Sequence, residues 1–224
     1  QASNTDTLVS YDTWMQLYST LEQRQIPGGS LLMKPDSLDN KLKGMKGSGY
    51  NIVPLMYLDF QTIKENAVSD GLLRVENEIQ LFDVPGRGSS PYYTRTIFAA
   101  APSVGVTYTG NVSFKFDPEL TFINTDIASI IIYADFGDGV GFRSITGNSI
   151  INVRYNTIGT KQIVFKIHLS DGSDIFSHSS IKVEEIIAAN RLAGTADWDI
   201  VATQRYGSSF LARGKAHIIY GCGN

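Results

Sequence analysis

The amino-acid sequence predicts a mainly β protein, and three observations carry that expectation. Charged side chains make up 18% of the 224 residues, below the roughly 25% of an average soluble domain. The 21 glycines, 11 tyrosines and 11 phenylalanines tilt the composition toward strands and turns. Beyond residue 102, short apolar runs recur at regular spacing with turn residues between them, the pattern of a β-sandwich. A hydrophobic share of 42% suffices to bury its core.

Element by element, Ser10 or Asp12 caps a helix running to about Gln23, because Trp14, Leu17, Tyr18 and Leu21 repeat along one helical face. The stretch from Ile26 to Tyr50 reads as a long irregular loop, punctuated by Pro27-Gly28-Gly29, Pro35-Asp36, Gly44, Gly47 and Gly49. A loop of that length either packs on something or serves binding. Asn51 to Phe60 is an apolar strand interrupted by Pro54, which suggests an edge or a bulge. A short helical turn follows at Ile63 to Val68, and Val75 to Phe82 alternates as one half-buried strand. Pro85-Gly86-Arg87-Gly88-Ser89-Ser90-Pro91 is a turn, after which Tyr92 to Ala99 resumes as a strand.

The seam Ala99-Ala100-Ala101-Pro102 closes a first region, residues 1–102. A second region, 103–187, holds strands at Gly105 to Tyr108, Val112 to Phe116, Ile127 to Tyr133, Ser149 to Tyr155, Lys161 to Leu169 and Ser180 to Val183. Alternation in Ile151 to Tyr155 and Ile163 to Leu169 gives each strand one buried and one wetter face. In a third region, 188–224, Asp197 to Arg205 and Lys215 to Tyr220 read as a strand pair. Between these regions, Ile186 to Ala193 is either a helical connector or an extended stretch.

Several function classes are excluded by the same arithmetic. With 19 basic against 22 acidic side chains, net charge −3 and no Lys/Arg cluster, the electrostatic footprint of a nucleic-acid binder is missing. The longest apolar run, Ile127 to Ala134, is strand-sized, well short of the roughly 18 residues of a membrane-spanning helix. His168, His178 and His217 are isolated from one another and from Cys222, which offers no zinc spacing. No nucleophile elbow, phosphate loop or dinucleotide fingerprint is present, so the segment is expected not to be an enzyme. Cys222 has no acid or base nearby in sequence to activate it.

Tyr133-Ala134-Asp135-Phe136-Gly137-Asp138-Gly139, followed by Val153-Arg154-Tyr155, Gly159 and Ser170-Asp171-Gly172, resembles a PKD-type domain. The resemblance spans about Tyr108 to Val183 and implies an immunoglobulin-like β-sandwich, with Ala134 standing where the family usually has Trp. Asp135, Gly137, Asp138 and Gly139 are then structural. The glycines supply positive φ and the aspartates bond turn N–H groups.

More loosely, the chain is similar to N-terminal regions of exported proteins of bacteria that use type IX secretion. The residues behind this likeness are Leu81 to Arg87, Ser90-Pro91-Tyr92, Ala99 to Pro102, Gly110 to Phe114 and Tyr220 to Asn224. That likeness implies export through the periplasm to the surface or medium. It also makes Asp6-Thr7-Leu8 and Asp36-Ser37-Leu38 candidate O-glycosylation triplets, at Thr7 and Ser37. A start at Gln1 with a polar run after it agrees with a processed chain or with a trimmed one, and the strand-like end at Tyr220 suggests continuation or a cut.

No cofactor is expected, with one alternative: loop carboxylates Asp135, Asp138, Asp171 and Asp174 form the nearest approach to a calcium cluster, although Asp-Gly pairs are usually turns. For contact with a partner, Tyr92, Tyr93, Trp198 and Tyr206 are the aromatic candidates, suited to stacking on sugars or anchoring a protein interface. The expected function is a non-catalytic exported module that contacts other envelope proteins or surface glycans, as a component or cargo of type IX secretion. The alternative is an N-terminal accessory segment of a larger secreted hydrolase.

Overall fold

In a computed structural model, residues 8–24, 31–46, 48–77, 80–125 and 130–184 are described. They form a mainly β structure with two α-helices and 13 strands among the described residues. One compact unit covers Gln1–Val183 and a second covers Glu184–Asn224, of which only Glu184 is described. Trp198, Tyr206, His217, Cys222, the 186–193 connector and the strand pair expected at 197–205 and 215–220 therefore lie outside the described residues, as does Thr7.

Helix α1, Tyr11–Gln23, forms where its periodicity predicts. Ser10 Oγ accepts the Thr13 N–H at 3.1 Å, satisfying a donor that the helix start leaves unpaired. Its apolar face buries Trp14 and Tyr18 completely, the rings stacked at 5.2 Å. Trp14 Nε1 donates to Ala99 O at 3.1 Å and Tyr18 OH to Met33 O at 2.9 Å, so neither polar tip is buried unpaired.

The expected loop at 26–50 is corrected by a second helix, α2, Pro35–Lys46. Leu38 and Leu42 are wholly buried four residues apart, with Met45 packed near them, which is helical spacing. Pro35 is the first residue of α2, where a missing N–H costs nothing, and Gly44 faces open space near the end. Both residues misread as breakers sit where a helix tolerates them. Ser37 lies exposed on α2, while Leu38 of its triplet is in the core.

The strands are β1 (Asn51–Ile52), β2 (Leu55–Ile63), β3 (Leu73–Glu76), β4 (Gln80–Asp83), β5 (Tyr92–Ala100), β6 (Val106–Thr107), β7 (Asn111–Lys115), β8 (Thr121–Ile123), β9 (Ile130–Asp135), β10 (Arg143–Ile145), β11 (Ile150–Arg154), β12 (Gly159–Leu169) and β13 (Asp174–Val183). The single strand expected over Val75 to Phe82 is instead the β3–β4 hairpin. Asn77 turns the chain there at φ 51°, a left-handed conformation that Asn adopts more readily than most residues. The short helical turn expected at Ile63 to Val68 lies slightly later: β2 runs to Ile63 and residues 65–71 are turn, with Asp70 N donating to Asn66 O at 2.9 Å.

Two sheets share one core. A three-stranded sheet, β1-β7-β11, and a five-stranded sheet, β10-β9-β12-β13-β6, enclose Phe114, Phe136, Phe165, Val153, Ile163 and Ile181. Phe114 and Phe136 meet at 4.6 Å between centroids, and Phe116 lies edge-on to Phe165 at 6.4 Å. A third sheet, β5-β2-β8, carries the second core, in which Met56, Leu58, Ala99 and Phe122 pack against Trp14, Tyr18, Leu38 and Leu42. Because side chains alternate along β2, Leu55 belongs to the first core and Met56 and Leu58 to the second. The seam at 102 falls between β5 and β6, while β1 on its N-terminal side pairs parallel with β7 beyond it. Leu8 makes a parallel bridge to His178, and Val9 N donates to His178 O at 2.7 Å.

Candidate functional site

The third sheet changes character along its length. Residues 55–58 of β2 and Ala99 and Ala100 of β5 are buried, yet Asp59–Ile63 and Tyr92–Thr96 are exposed or half-buried. Strand β8 pairs only with Leu55, Met56 and Tyr57. Past that point Asn124 closes the ladder with its side chain, Oδ1 accepting the Asp59 N–H at 2.8 Å and Nδ2 donating to Asp59 O at 2.7 Å. What continues is a two-stranded ribbon without a third strand among the described residues.

Register assigns the two faces of this ribbon. Phe60 lies opposite Arg95 and Thr62 opposite Tyr93, so these four share a face, and Lys64, two residues past Thr62, joins them. Lys64 Nζ stands 5.2 Å from the Tyr93 ring centroid and the Arg95 guanidinium 5.9 Å from it, within cation–π range. Arg95 Nε also donates to Thr62 Oγ1 at 3.4 Å. Tyr93 remains 51% exposed and Arg95 is exposed, while Lys64 is half-buried. On the opposite face Thr96 Oγ1 donates to Asp59 Oδ1 at 2.5 Å.

Tyr92 is half-buried and engaged: its hydroxyl donates to Asp83 Oδ1 at 3.0 Å, and Arg87 both covers the ring at 5.9 Å and pairs with Asp83 at 2.5 Å. The carboxylate that accepts from this hydroxyl, aided by burial, holds the Tyr92 pKa above its usual value. Apolar side chains are exposed nearby in the sequence, with Ile63, Val68, Val75, Leu81 and Phe82 between 39% and 49% accessible.

Charge balance separates Tyr93 from every other described cation–aromatic contact. Arg74 over Phe82 pairs with Glu76 at 3.0 Å, Arg87 over Tyr92 with Asp83, Arg143 over Phe136 with Asp138 at 2.7 Å, and Lys166 over Tyr133 and Phe142 with Asp174 at 3.2 Å. Lys64 and Arg95 have no carboxylate partner among the described residues.

The aspartates are placed in two separate turns. Asp135 Oδ1 accepts the Gly137 N–H at 2.9 Å, Asp138 Oδ1 accepts Val140 N–H at 3.3 Å, and Gly137 and Gly139 take φ 68° and 84°. Asp171 accepts Ser173 N–H at 2.9 Å and Ser173 Oγ–H at 2.6 Å, bonds that hold its carboxyl below the usual range. Asp174 bonds His168 Nδ1 at 2.7 Å, which together with Lys166 lowers its pKa likewise. Register sets Asp135 opposite Val164 and Ile130 opposite Leu169, so the two turns lie at opposite ends of β9, roughly 17 Å apart at 3.3 Å per residue. The four carboxylates are not brought together, and no group of three or more His, Cys, Asp or Glu poised for a metal occurs among the described residues.

Sequence reasoning missed the outward face of β9, β12 and β13, where Ile131, Phe142 and Phe176 are exposed around Lys166 and His168. The alternation of Ile163 to Leu169 held that signal, since it turns Lys166 and His168 away from the core. A cavity of about 390 Å³ bounded by Leu55, Phe116, Ile130, Ile132 and Ile145 is lined without any ionisable side chain. No family model matches this chain, and no curated protein matches it significantly.

Proposed function

We propose that this chain is a non-catalytic binding module of an exported bacterial surface protein, a component or cargo of type IX secretion, which contacts other macromolecules of the cell envelope through the β2–β5 ribbon. On this reading the two sheets around Phe114, Phe136 and Phe165 are a PKD-type, immunoglobulin-like sandwich, and its body serves to hold the ribbon out. The observation that carries the proposal is the pair of unneutralised cations on exposed Tyr93, at 5.2 and 5.9 Å. Such a cluster is a ready anchor for a partner, because aromatic and Arg side chains dominate binding energy at interfaces. The site's chemistry supports binding over catalysis, since the ribbon face presents neither an activated nucleophile nor a paired acid and base.

The test is retention of the purified chain on an envelope fraction of the cells that make it. The double variant Tyr93→Ala/Arg95→Ala is expected to wash off, whereas Phe176→Ser, on the other exposed face, stays bound. Equal retention of both variants would remove the ribbon from the contact.

A further inference from the structure

The ribbon offers a second kind of complementarity besides its side chains. Strand β5 is the outer strand of its sheet, and main-chain groups alternate in direction along a strand. Lys64 N donates to Pro91 O at 2.9 Å across the ladder, so the odd-numbered residues of β5 bond toward β2 and the even-numbered ones face outward. Ala100 obeys this parity, its N–H reaching Ser177 Oγ at 3.2 Å. At the other end, Ser90 Oγ accepts the Tyr92 N–H at 3.2 Å and donates to Tyr92 O at 3.4 Å, capping the outward groups there. Between these caps, the outward N–H and C=O of Thr94 and Thr96 have no partner among the described residues.

An open strand edge with β-branched side chains is a template for another strand, and proteins usually blunt such edges. Here the flanking face carries Lys64 and Arg95 with no carboxylate. Resting on the reading of the ribbon as a contact surface, we infer that its occupant is an extended acidic polypeptide segment. It would pair main chain to main chain with Thr94 and Thr96 and set alternate Asp or Glu side chains on the face of Lys64, Tyr93 and Arg95. Period-2 spacing is what such a segment needs, because every second side chain then meets the cationic face. A second copy of this chain fits poorly. Antiparallel pairing of β5 with itself would put the cations of both copies on one face, and like charges opposed across strands destabilise a sheet.

The experiment is fluorescence anisotropy on the full chain with a labelled synthetic peptide alternating glutamate and valine. Expected results are saturable binding that weakens as salt is raised, and weakening by roughly two- to fivefold for each of Lys64→Gln and Arg95→Gln, the scale of an exposed ion pair. Methylating alternate peptide amides should abolish binding without touching the protein, which keeps the edge pairing testable even if a β5 variant fails to fold. Equal affinity for a lysine–valine peptide, or undiminished binding of the methylated one, would overturn the inference. Binding of polygalacturonate with none of the peptide would also overturn it, while leaving the ribbon a contact surface for glycans. Loss of both, with envelope retention unaffected by Tyr93→Ala/Arg95→Ala, would remove the underlying reading as well.

Discussion

Two cation–aromatic clusters in this protein have the same ingredients and opposite settings. At the turn after β9, Arg143 covers Phe136 at 4.8 Å and pairs with Asp138, whose side chain is 4% exposed; Tyr155 OH donates to Phe136 O at 2.8 Å. On the ribbon, Lys64 and Arg95 cover Tyr93 with no carboxylate, and the ring is half open to water. The first cluster pairs its charges internally, although the buried Arg143 Nε has no hydrogen-bond partner. The second has no counter-charge among the described residues. The same ingredients therefore do not imply the same role: desolvation and charge balance set the buried cluster apart from the exposed one.

Gly137 is the point at which the Phe136 cluster is most easily undone. Its φ of 68° is a conformation that β-branched residues all but exclude, and a Cβ there would collide with the backbone carbonyl oxygen of Gln162 in β12. Backbone cannot swing aside as a flexible side chain does. Gly137→Val is expected to cost about 3 kcal/mol, combining left-handed strain with that clash, and to lower the melting temperature by roughly 6–12 °C. A melting temperature within about 1 °C of the parent would show that the turn does not fasten the fold.

A second, smaller effect tests how tightly the body is closed. Burial first, with the negative charge of Glu22 adding to it, pushes the Tyr18 hydroxyl up to about 12. A proton held more tightly in the folded state than in the unfolded one, where tyrosine titrates near 10, stabilises the fold fully below about pH 10. That contribution is lost as pH rises through the folded value. Urea midpoints are thus expected to hold up to about pH 9.5 and to fall by about pH 11.5, with a smaller fall in Tyr18→Phe. An identical fall in the variant would mean that Tyr18 is not the group responsible.

How much of this was legible in the sequence depends on how local the signal is. Helix α1 and the alternation of β11 and β12 were readable because one periodicity held over a whole element. Helix α2 was not, since Pro35 and Gly44 break helices in most positions and are harmless only at a first turn and an open end. The β3–β4 hairpin was hidden because Asn77 supplies a left-handed turn without a glycine, leaving the alternation of Val75 to Phe82 looking unbroken. Tyr93 could be picked from the sequence as an exposed aromatic after a Gly/Ser/Pro turn. Its partner Lys64 could not, since it lies 29 residues away and only the antiparallel register puts Thr62 opposite Tyr93, whereas Arg95, two residues on, was within reach of strand alternation. The open edge at Thr94 and Thr96 is less legible still, because it depends on where β8 stops.

The smallest effect is the most informative about the ribbon. If Tyr93 with Lys64 and Arg95 were a fastener like the Phe136 cluster, removing the ring would expose packing that the fold relies on. The ring is instead half exposed, and its cations touch it from a ribbon that no other described strand covers. Tyr93→Ala is therefore expected to change stability by no more than about 0.5 kcal/mol, the range of surface substitutions, while envelope retention is lost. Urea denaturation of the purified variant measures the first and the retention assay the second. A loss of 2 kcal/mol or more would place Tyr93 among the residues that hold the fold together, and the contrast between the two clusters would collapse into a difference of depth alone.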